Sequence, residues 1–168
     1  MTPQEFDAFY TASFSRVAGQ IYAITGDWGE AQDAVQDAFI RAWDHRRTFD
    51  LEHAPEAWIR ITAWRLAVSR WRRVTRGLRL AERYHERRTV QPPGEAHLML
   101  AAALQELPET QRIALVLHYL CDLSVEQVAV ETGSSISAIK SRLARGRAAL
   151  ATSLVDNTGV HEGVKSRD

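Results

Sequence analysis

A run of basic and small polar residues towards the C-terminal end could bind a phosphate backbone. The segment 131–150 reads ETGSSISAIKSRLARGRAAL and carries four basic residues within eight positions. On a helix lying in a major groove, cations neutralise phosphates and short polar groups reach base edges. A basic surface helix in a helical bundle would show similar charge. The candidate DNA contacts are Ser137, Lys140, Ser141, Arg142 and Arg145.

The residues before that segment are spaced as in a helix-turn-helix. Ala129, Gly133 and Ile139 follow one another at intervals of four and six. A small residue lets the second helix approach, a glycine tolerates the left-handed backbone of a sharp turn, and an apolar residue closes the core. Spacing and charge together favour DNA binding over the bundle helix, without indicating which process it serves.

A second cluster mixes aromatic and basic residues. The segment 58–73 reads WIRITAWRLAVSRWRR. Unpaired bases stack on aromatic rings while guanidinium groups hold the backbone, so the cluster is a candidate single-stranded DNA surface. Trp58 is expected in the core because apolar residues flank it. For Trp64 and Trp71, a place in the core and base stacking are equally open. The candidate contacts are Arg60, Trp64, Arg65, Arg70, Trp71, Arg72 and Arg73.

A third candidate surface is the polar side of the predicted helix 28–45. An acidic and polar face with an exposed isoleucine suits a protein partner, although a solvated face explains the same pattern and is favoured by the residues alone. The face consists of Asp33, Gln36, Asp37, Ile40 and Arg41.

Nothing in the sequence indicates an enzyme or a metal site. The acidic residues are scattered, and the six histidines show no ligand spacing such as H-E-x-x-H. Cys121 stands in an apolar run and is expected in the core. A single cysteine fits a reducing compartment, and no apolar run approaches the ~20 residues of a membrane span. We therefore expect a soluble, cytoplasmic protein with no cofactor, no small-molecule substrate and no membrane insertion.

The elements that position these clusters are predicted to be helices. Apolar residues recur at three- and four-residue intervals along most of the chain, which indicates an all-α fold. Glycine, proline and charge interrupt the pattern around 75–95. We predict a helical domain over 1–75, a flexible basic linker over 76–95, a second helical domain with the helix-turn-helix over 96–154, and a frayed polar tail over 155–168. The last helix is expected to end near Leu154.

Charge is distributed in blocks although the net charge is zero. Residues 1–50 hold eight acids and four bases, whereas residues 51–90 hold four acids and ten bases. Residues 91–130 hold five acids and one base, and residues 131–168 hold four acids and six bases. Alternating blocks favour separate surfaces with separate partners.

The whole pattern resembles the extracytoplasmic-function (group IV) sigma factors of bacterial RNA polymerase. The segments AQDAVQDAFIRAW and AWIRITAWRLAVSRWRR occur in the family's order, followed by a proline-containing linker and the helix-turn-helix segment 104–150. The likeness covers most of residues 5–150, and the arginine-rich third helix is most similar to actinobacterial members. No middle domain is evident, which also fits this group.

The resemblance implies a role for each cluster. The helix with Asp33, Gln36, Phe39 and Arg41 matches the segment that docks on the core polymerase. Residues 58–73 match the segment that captures and helps melt the minus-10 promoter element, and the helix 135–150 matches the reader of the minus-35 element. The implied partners are core RNA polymerase, promoter DNA and, as in many family members, an anti-sigma factor.

Two departures limit the transfer. The family often has Asn where this chain has Arg65 and Asp where it has Ser69, so the minus-10 preference does not carry over. The linker is more basic than expected, and its arginines at 76, 79, 83, 87 and 88 are candidates for DNA or nascent RNA contacts. The alternative function is a stand-alone helix-turn-helix regulator that binds duplex DNA, although no additional dimerisation helix is evident.

Overall fold

The computed structural model describes residues 1–47, 55–75 and 94–162, and over these ranges it contains α-helices and no strand. This agrees with the predicted all-α class. The chain divides into two compact units, Met1–His97 and Leu98–Asp168. The arginine-rich linker positions at 76–88 lie outside the described residues. The helices are α1 (Pro3–Thr25), α2 (Trp28–Asp44), α3 (Pro55–Thr75), α4 (Glu95–Gln105), α5 (Glu109–Leu115), α6 (Val125–Thr132) and α7 (Ile136–Glu162).

Capping residues mark the start of α1 and the boundary between α1 and α2. Thr2 and Glu5 form a capping box in which each side chain accepts a hydrogen bond from the other residue's backbone N–H. Gly26 ends α1 in the left-handed region (φ 69°), with its N–H donating to the Tyr22 carbonyl. The Asp27 side chain accepts from the backbone N–H at position 30 at 2.9 Å and caps α2. Gly26 and Asp27 therefore mark the boundary between α1 and α2.

The first unit is a three-helix arrangement in which α1, α2 and α3 all pack against one another. Phe6 contacts Trp43 edge-on (ring centroids 5.1 Å apart) and Tyr22 contacts Trp28 (5.7 Å), so α1 and α2 run antiparallel. The core is filled by small and branched side chains that are fully buried. They include Val17, Ile21, Ala34, Val35, Ala38, Ile59 and Ala63.

The second unit surrounds a core contributed by α5, α6 and α7. After α5 the backbone widens into a π-helical turn, Val116–Leu120, in which the Cys121 N–H donates to the Val116 carbonyl at 3.0 Å. The helical backbone therefore continues from α5 to Leu120, with a wider final turn. Cys121 is buried, as predicted. Val128 of α6 and Ile139 of α7 are also fully buried.

Helices α5 and α7 approach closely at Gly146. A Cβ at this position would lie 2.9 Å from the Leu115 Cδ1 and 3.5 Å from the Gln111 Cβ. A side chain at position 146 is therefore disfavoured by the short distance to α5, and not by the backbone φ angle. Beyond it, α7 continues to Glu162, so the predicted end near Leu154 and the frayed start of the tail are wrong over 155–162. The polar composition of these residues therefore did not mark the end of the helix.

Candidate nucleic-acid and partner-binding surfaces

The turn between α6 and α7 has the geometry that the sequence predicted. Gly133 adopts a left-handed conformation (φ 63°) and its N–H donates to the Ala129 and Val130 carbonyls. Ser124 caps α6 in a capping box with Gln127. Ala129 is buried, so the two helices approach over a small side chain.

A serine side chain caps the start of α7. The N–H of Ala138 donates to the Ser135 Oγ at 3.1 Å, and the N–H of Ile139 donates to the Ser135 carbonyl. Ser135 is therefore the N-cap of α7. Ser137 is left exposed on the first turn.

One stripe of α7 combines exposure with positive charge. Positions 137, 140, 141, 144 and 145 recur at the spacing of one helical face, and all are exposed. The opposite stripe, with Ile139, Leu143 and Gly146, is buried. Lys140 and Arg145 are therefore presented to solvent along one face of the helix, with small side chains between them. Such a face fits a major groove in shape and in charge.

Two other arginines of α7 are hydrogen-bonded within the second unit. The Arg142 Nη1 donates to the Ser134 Oγ at 2.7 Å, which ties the helix to the turn before it. The Arg147 Nη1 donates to the Tyr119 hydroxyl at 2.7 Å. Of the four cations singled out in the sequence, Arg142 and Arg147 are thus hydrogen-bonded to neighbouring polar side chains, and Arg147 is exposed like Lys140 and Arg145.

The exposed side of α3 carries a different set of residues from the one expected. Trp58 is 38% exposed, although it was expected in the core. Arg65, Ser69 and Arg73 are exposed at intervals of four on the same side of the helix. The exposed side of α3 therefore does combine an aromatic ring with basic residues. Among the described side chains, that ring belongs to Trp58.

Trp64 and Arg60 do not lie on that surface. Trp64 is 6% exposed and Arg60 is 8% exposed, so the expectation that they offer a ring and a cation to DNA does not fit this structure. The physical reason is that α3 packs against both α1 and α2, which makes its buried face wider than a single stripe. The side chains of Trp71 and Arg72 lie outside the described residues.

An ion-pair network explains the buried Arg60. Its Nη1 lies 3.0 Å from the Glu56 Oε1 one turn earlier, and Glu56 also pairs with Arg16 of α1. The hydrogen bond from Arg16, followed by the charges of Arg16 and Arg60, lowers the pKa of Glu56, against an opposing effect of burial. Glu56 therefore links α1 to α3 as an ionised carboxylate.

Arg70 faces α2. Its Nη2 lies 2.6 Å from the Asp37 Oδ2 and its Nη1 lies 3.4 Å from the Glu30 Oε1. Burial raises the pKa of Glu30, and the charge and hydrogen bond of Arg70 oppose that rise. The arginine thus favours the ionised form of a partly buried carboxylate.

The polar face of α2 is arranged as predicted. Positions 33, 36, 37, 40 and 41 form one stripe, opposite buried positions 31, 34, 35, 38 and 42. Ile40 is 49% exposed and Arg41 is exposed, whereas Asp33, Gln36 and Asp37 are half-buried. An exposed apolar side chain between polar neighbours is compatible with a protein interface and equally with an ordinary solvated face.

Several contributing residues were not identified from the sequence. The pair Glu56–Arg60 has the i,i+4 spacing that could have indicated it. Glu30 and Tyr119 had no such signal, because their partners Arg70 and Arg147 lie 40 and 28 residues away. Long-range pairs of this kind appear only once the helices are packed.

The described part of the chain has neither a metal-binding cluster nor a membrane-spanning helix. No group of three or more His, Cys, Asp or Glu side chains there could hold a metal ion. None of the helices in the same residues is both long and apolar enough to cross a membrane.

Two family models match the chain, in the order in which the surfaces occur. Sigma-70 region 2 matches residues 9–77 and Sigma-70 region 4 matches residues 97–150. The first contains α2 and α3 with their exposed faces, and the second contains the helix-turn-helix. Neither family is one of enzymes.

Relatives and solved structures agree with these models. The chain is 27% identical over 151 residues to the ECF RNA polymerase sigma factor SigW of Bacillus subtilis, covering 80% of this chain and 81% of the relative. It is 28% identical over 158 residues to SigK of Mycolicibacterium vanbaalenii, covering 88% and 80%. Its fold is similar to that of the sigma factor RpoE of Bartonella quintana, solved in complex with the anti-sigma factor NepR (TM-score 0.63, 23% identity, 90% and 97% covered). The chain therefore belongs to the extracytoplasmic-function sigma factors of RNA polymerase.

Proposed function

We propose that this protein is a non-catalytic specificity subunit that binds core RNA polymerase and directs it to promoters with minus-10 and minus-35 elements. It directs promoter-specific transcription from the cytoplasm and needs no cofactor. The observation that carries the proposal is the pairing of two DNA-compatible helix faces, on α3 and α7, with the two sigma-70 regions in the family's order.

The minus-35 element is assigned to the exposed stripe of α7. Lys140 and Arg145 supply phosphate or guanine contacts, and Ser137 and Ser141 are short enough to let the helix enter the groove. Arg142 is hydrogen-bonded to Ser134 and remains a candidate from the sequence for a contact with the DNA backbone beside that stripe. Each good bidentate base contact would add about 1–3 kcal/mol of discrimination.

The minus-10 element is assigned to the exposed side of α3. Trp58 provides a stacking surface, and Arg65 and Arg73 provide cations on the same side of the helix. Stacking of an unpaired base on an aromatic ring is worth about 1–3 kcal/mol per base, enough to favour a base that has left the duplex. Trp71 and Arg72 remain candidates from the sequence.

Core polymerase is assigned to the polar stripe of α2. Ile40 would be the apolar anchor of that interface, with Asp33, Gln36 and Arg41 around it. Tethering both units to the polymerase raises the effective concentration of each for its promoter element. Neither unit then has to bind DNA strongly by itself, which fits the overall neutral charge.

An anti-sigma factor is the third proposed partner. A structure similar to this chain is a sigma factor crystallised with the anti-sigma factor NepR. Such a partner would control the protein by occupying surfaces that core polymerase or DNA needs.

The first experiment is reconstituted transcription. Core polymerase freed of its own sigma factors is mixed with the purified protein over genomic template fragments, and transcript start sites are mapped. We expect discrete start sites that depend on the protein and share two spaced upstream sequence blocks. Absence of such transcripts, together with specific duplex binding without polymerase, would instead establish the stand-alone regulator.

The α2 assignment has its own test. A double variant, Gln36→Ala with Arg41→Ala, should bind core polymerase more weakly while its circular dichroism spectrum stays that of the wild type. An Arg145→Ala variant is the matched control, because it should keep full affinity for core polymerase. Wild-type core affinity in the double variant would contradict the assignment.

A further inference from the structure

The guanidinium of Arg70 is enclosed by carboxylates of another helix. Asp37 lies 2.6 Å from its Nη2 and Glu30 lies 3.4 Å from its Nη1, and both acids belong to α2. Arg70 was singled out in the sequence as one cation among many on an arginine-rich helix. In the folded chain its charge is matched by two acids that are 33 and 40 positions away.

The direction in which Arg70 leaves α3 follows from helix geometry. Seven residues make almost two full turns, so Arg70 lies on the same side of the helix as the fully buried Ala63. Arg65 lies on a different, exposed side, and the exposed Arg73 lies one turn after Arg70 at the edge between the two sides. The Arg70 side chain is 28% exposed, and its guanidinium is in contact with the carboxylates of α2.

The chemistry of the site suits a fixed bridge. An arginine presents several N–H donors in a rigid planar fork, so it can join two carboxylates at once, which the single ammonium of a lysine does less well. Both acids are partly buried, with side-chain exposures of 24% and 36%. Charged hydrogen bonds in such a setting are less screened than those at an open surface.

We infer that Arg70 is a positioning residue that couples the polymerase-binding helix to the promoter-binding helix, and that it does not contact DNA. The inference rests on the proposed function, because it takes α2 as the face for core polymerase and α3 as the face for the minus-10 element. Asp37 lies in the α2 stripe and also anchors Arg70, so a partner docked on α2 acts on the same bridge that orients α3. The Glu30–Arg70–Asp37 bridge thus links core binding to promoter opening.

The test compares substitutions at Arg70 with the same change at Arg73, an exposed arginine of the same helix. Holoenzyme is assembled at saturating core polymerase with wild type, Arg70→Gln, Arg70→Lys, Asp37→Asn or Arg73→Gln. The templates are promoter fragments mapped by the start-site experiment. Two quantities are measured: the salt dependence of holoenzyme–promoter affinity, and open complexes counted by permanganate reactivity of unpaired thymines.

A positioning role predicts a specific pattern. Arg70→Gln should leave the slope of log affinity against log salt unchanged while open complexes fall at least fivefold. Arg70→Lys and Asp37→Asn should lower open complexes in the same way, because each breaks the bridge. Neither change removes a positive charge from α3. Arg73→Gln should reduce the slope by about 0.9, the loss of one phosphate contact on duplex DNA.

Two results would overturn the inference. One is a slope lowered by about 0.9 in Arg70→Gln and restored in Arg70→Lys, which is the behaviour of a phosphate contact. The other is wild-type promoter opening by both Arg70→Lys and Asp37→Asn, which applies even if Arg70→Gln does not fold. Failure of the wild-type protein to support any promoter-dependent transcript in these reactions would count against the proposed function itself.

Discussion

Helices α3 and α7 are both arginine-rich and both assigned to DNA, yet their side chains are distributed differently. On α7 a narrow buried stripe packs against the rest of the second unit. The exposed stripe holds Lys140 and Arg145, as the sequence pattern indicated. On α3, contact with both α1 and α2 buries Trp64 and Arg60 and leaves Trp58 exposed. Apolar periodicity predicts the exposed face of a helix when only one side of the helix packs against neighbouring helices. The prediction becomes ambiguous when two sides are packed.

The largest effect should separate the two tryptophans of α3. Trp64→Ala removes a buried indole and should lower the free energy of unfolding by about 3–5 kcal/mol. Trp58→Ala should lower stability clearly less than Trp64→Ala, because Trp58 is 38% exposed, and should reduce promoter opening. Urea unfolding of the full chain, followed by circular dichroism, measures the first effect, and equal destabilisation by the two changes would place both rings in the core.

The corresponding test on α7 concerns its close approach to α5. Gly146→Val should destabilise the second unit by about 2–3 kcal/mol, because the added atoms meet the buried Leu115 side chain. Ala148→Val, at an exposed position two residues later, is the matched control and should change stability little. If thermal unfolding gave the same midpoint for both variants, the tight α5–α7 contact would be refuted.

A third test concerns the ion pairs that hold Arg60 on α3. Glu56→Gln should destabilise the protein by about 2 kcal/mol at neutral pH, mainly through Arg60, because Arg16 is 59% exposed and screened. Because the folded-state pKa of Glu56 lies below its ordinary value of 4.5, its stabilisation is present above that pH and lost as pH falls through the folded pKa. The difference between variant and wild type in urea unfolding should therefore shrink on acidification below 4.5. A difference independent of pH would show that the carboxylate's charge is not involved.

The smallest effect should distinguish the exposed from the hydrogen-bonded arginines of α7. Arg145→Ala should weaken promoter binding that depends on the minus-35 element by about tenfold, the loss of one base or phosphate contact. Arg147→Ala, which removes a partner of Tyr119, should weaken it much less. Competition binding of holoenzyme to promoters with intact and scrambled minus-35 elements measures both, and equal losses would mean that the hydrogen bond to Tyr119 does not keep Arg147 from DNA.

The sequence by itself determined much of this protein. Local signals that act within a few residues placed the caps at Asp27 and Ser124, the left-handed turn at Gly133, and the polar stripe of α2. The family followed from the order of several long segments. These features depend on backbone sterics and on the periodicity of one helix, which a single sequence contains.

Only the tertiary structure decided the rest. It left Trp58 partly exposed and placed Trp64, whose position the sequence had left open, in the core. It also made Gly146 a contact point and joined Arg70 to acids 33 and 40 residues away. The physical reason is that burial and ion pairing depend on which neighbours a helix acquires on each flank. Those neighbours are distant in the chain, and no spacing within α3 could specify them.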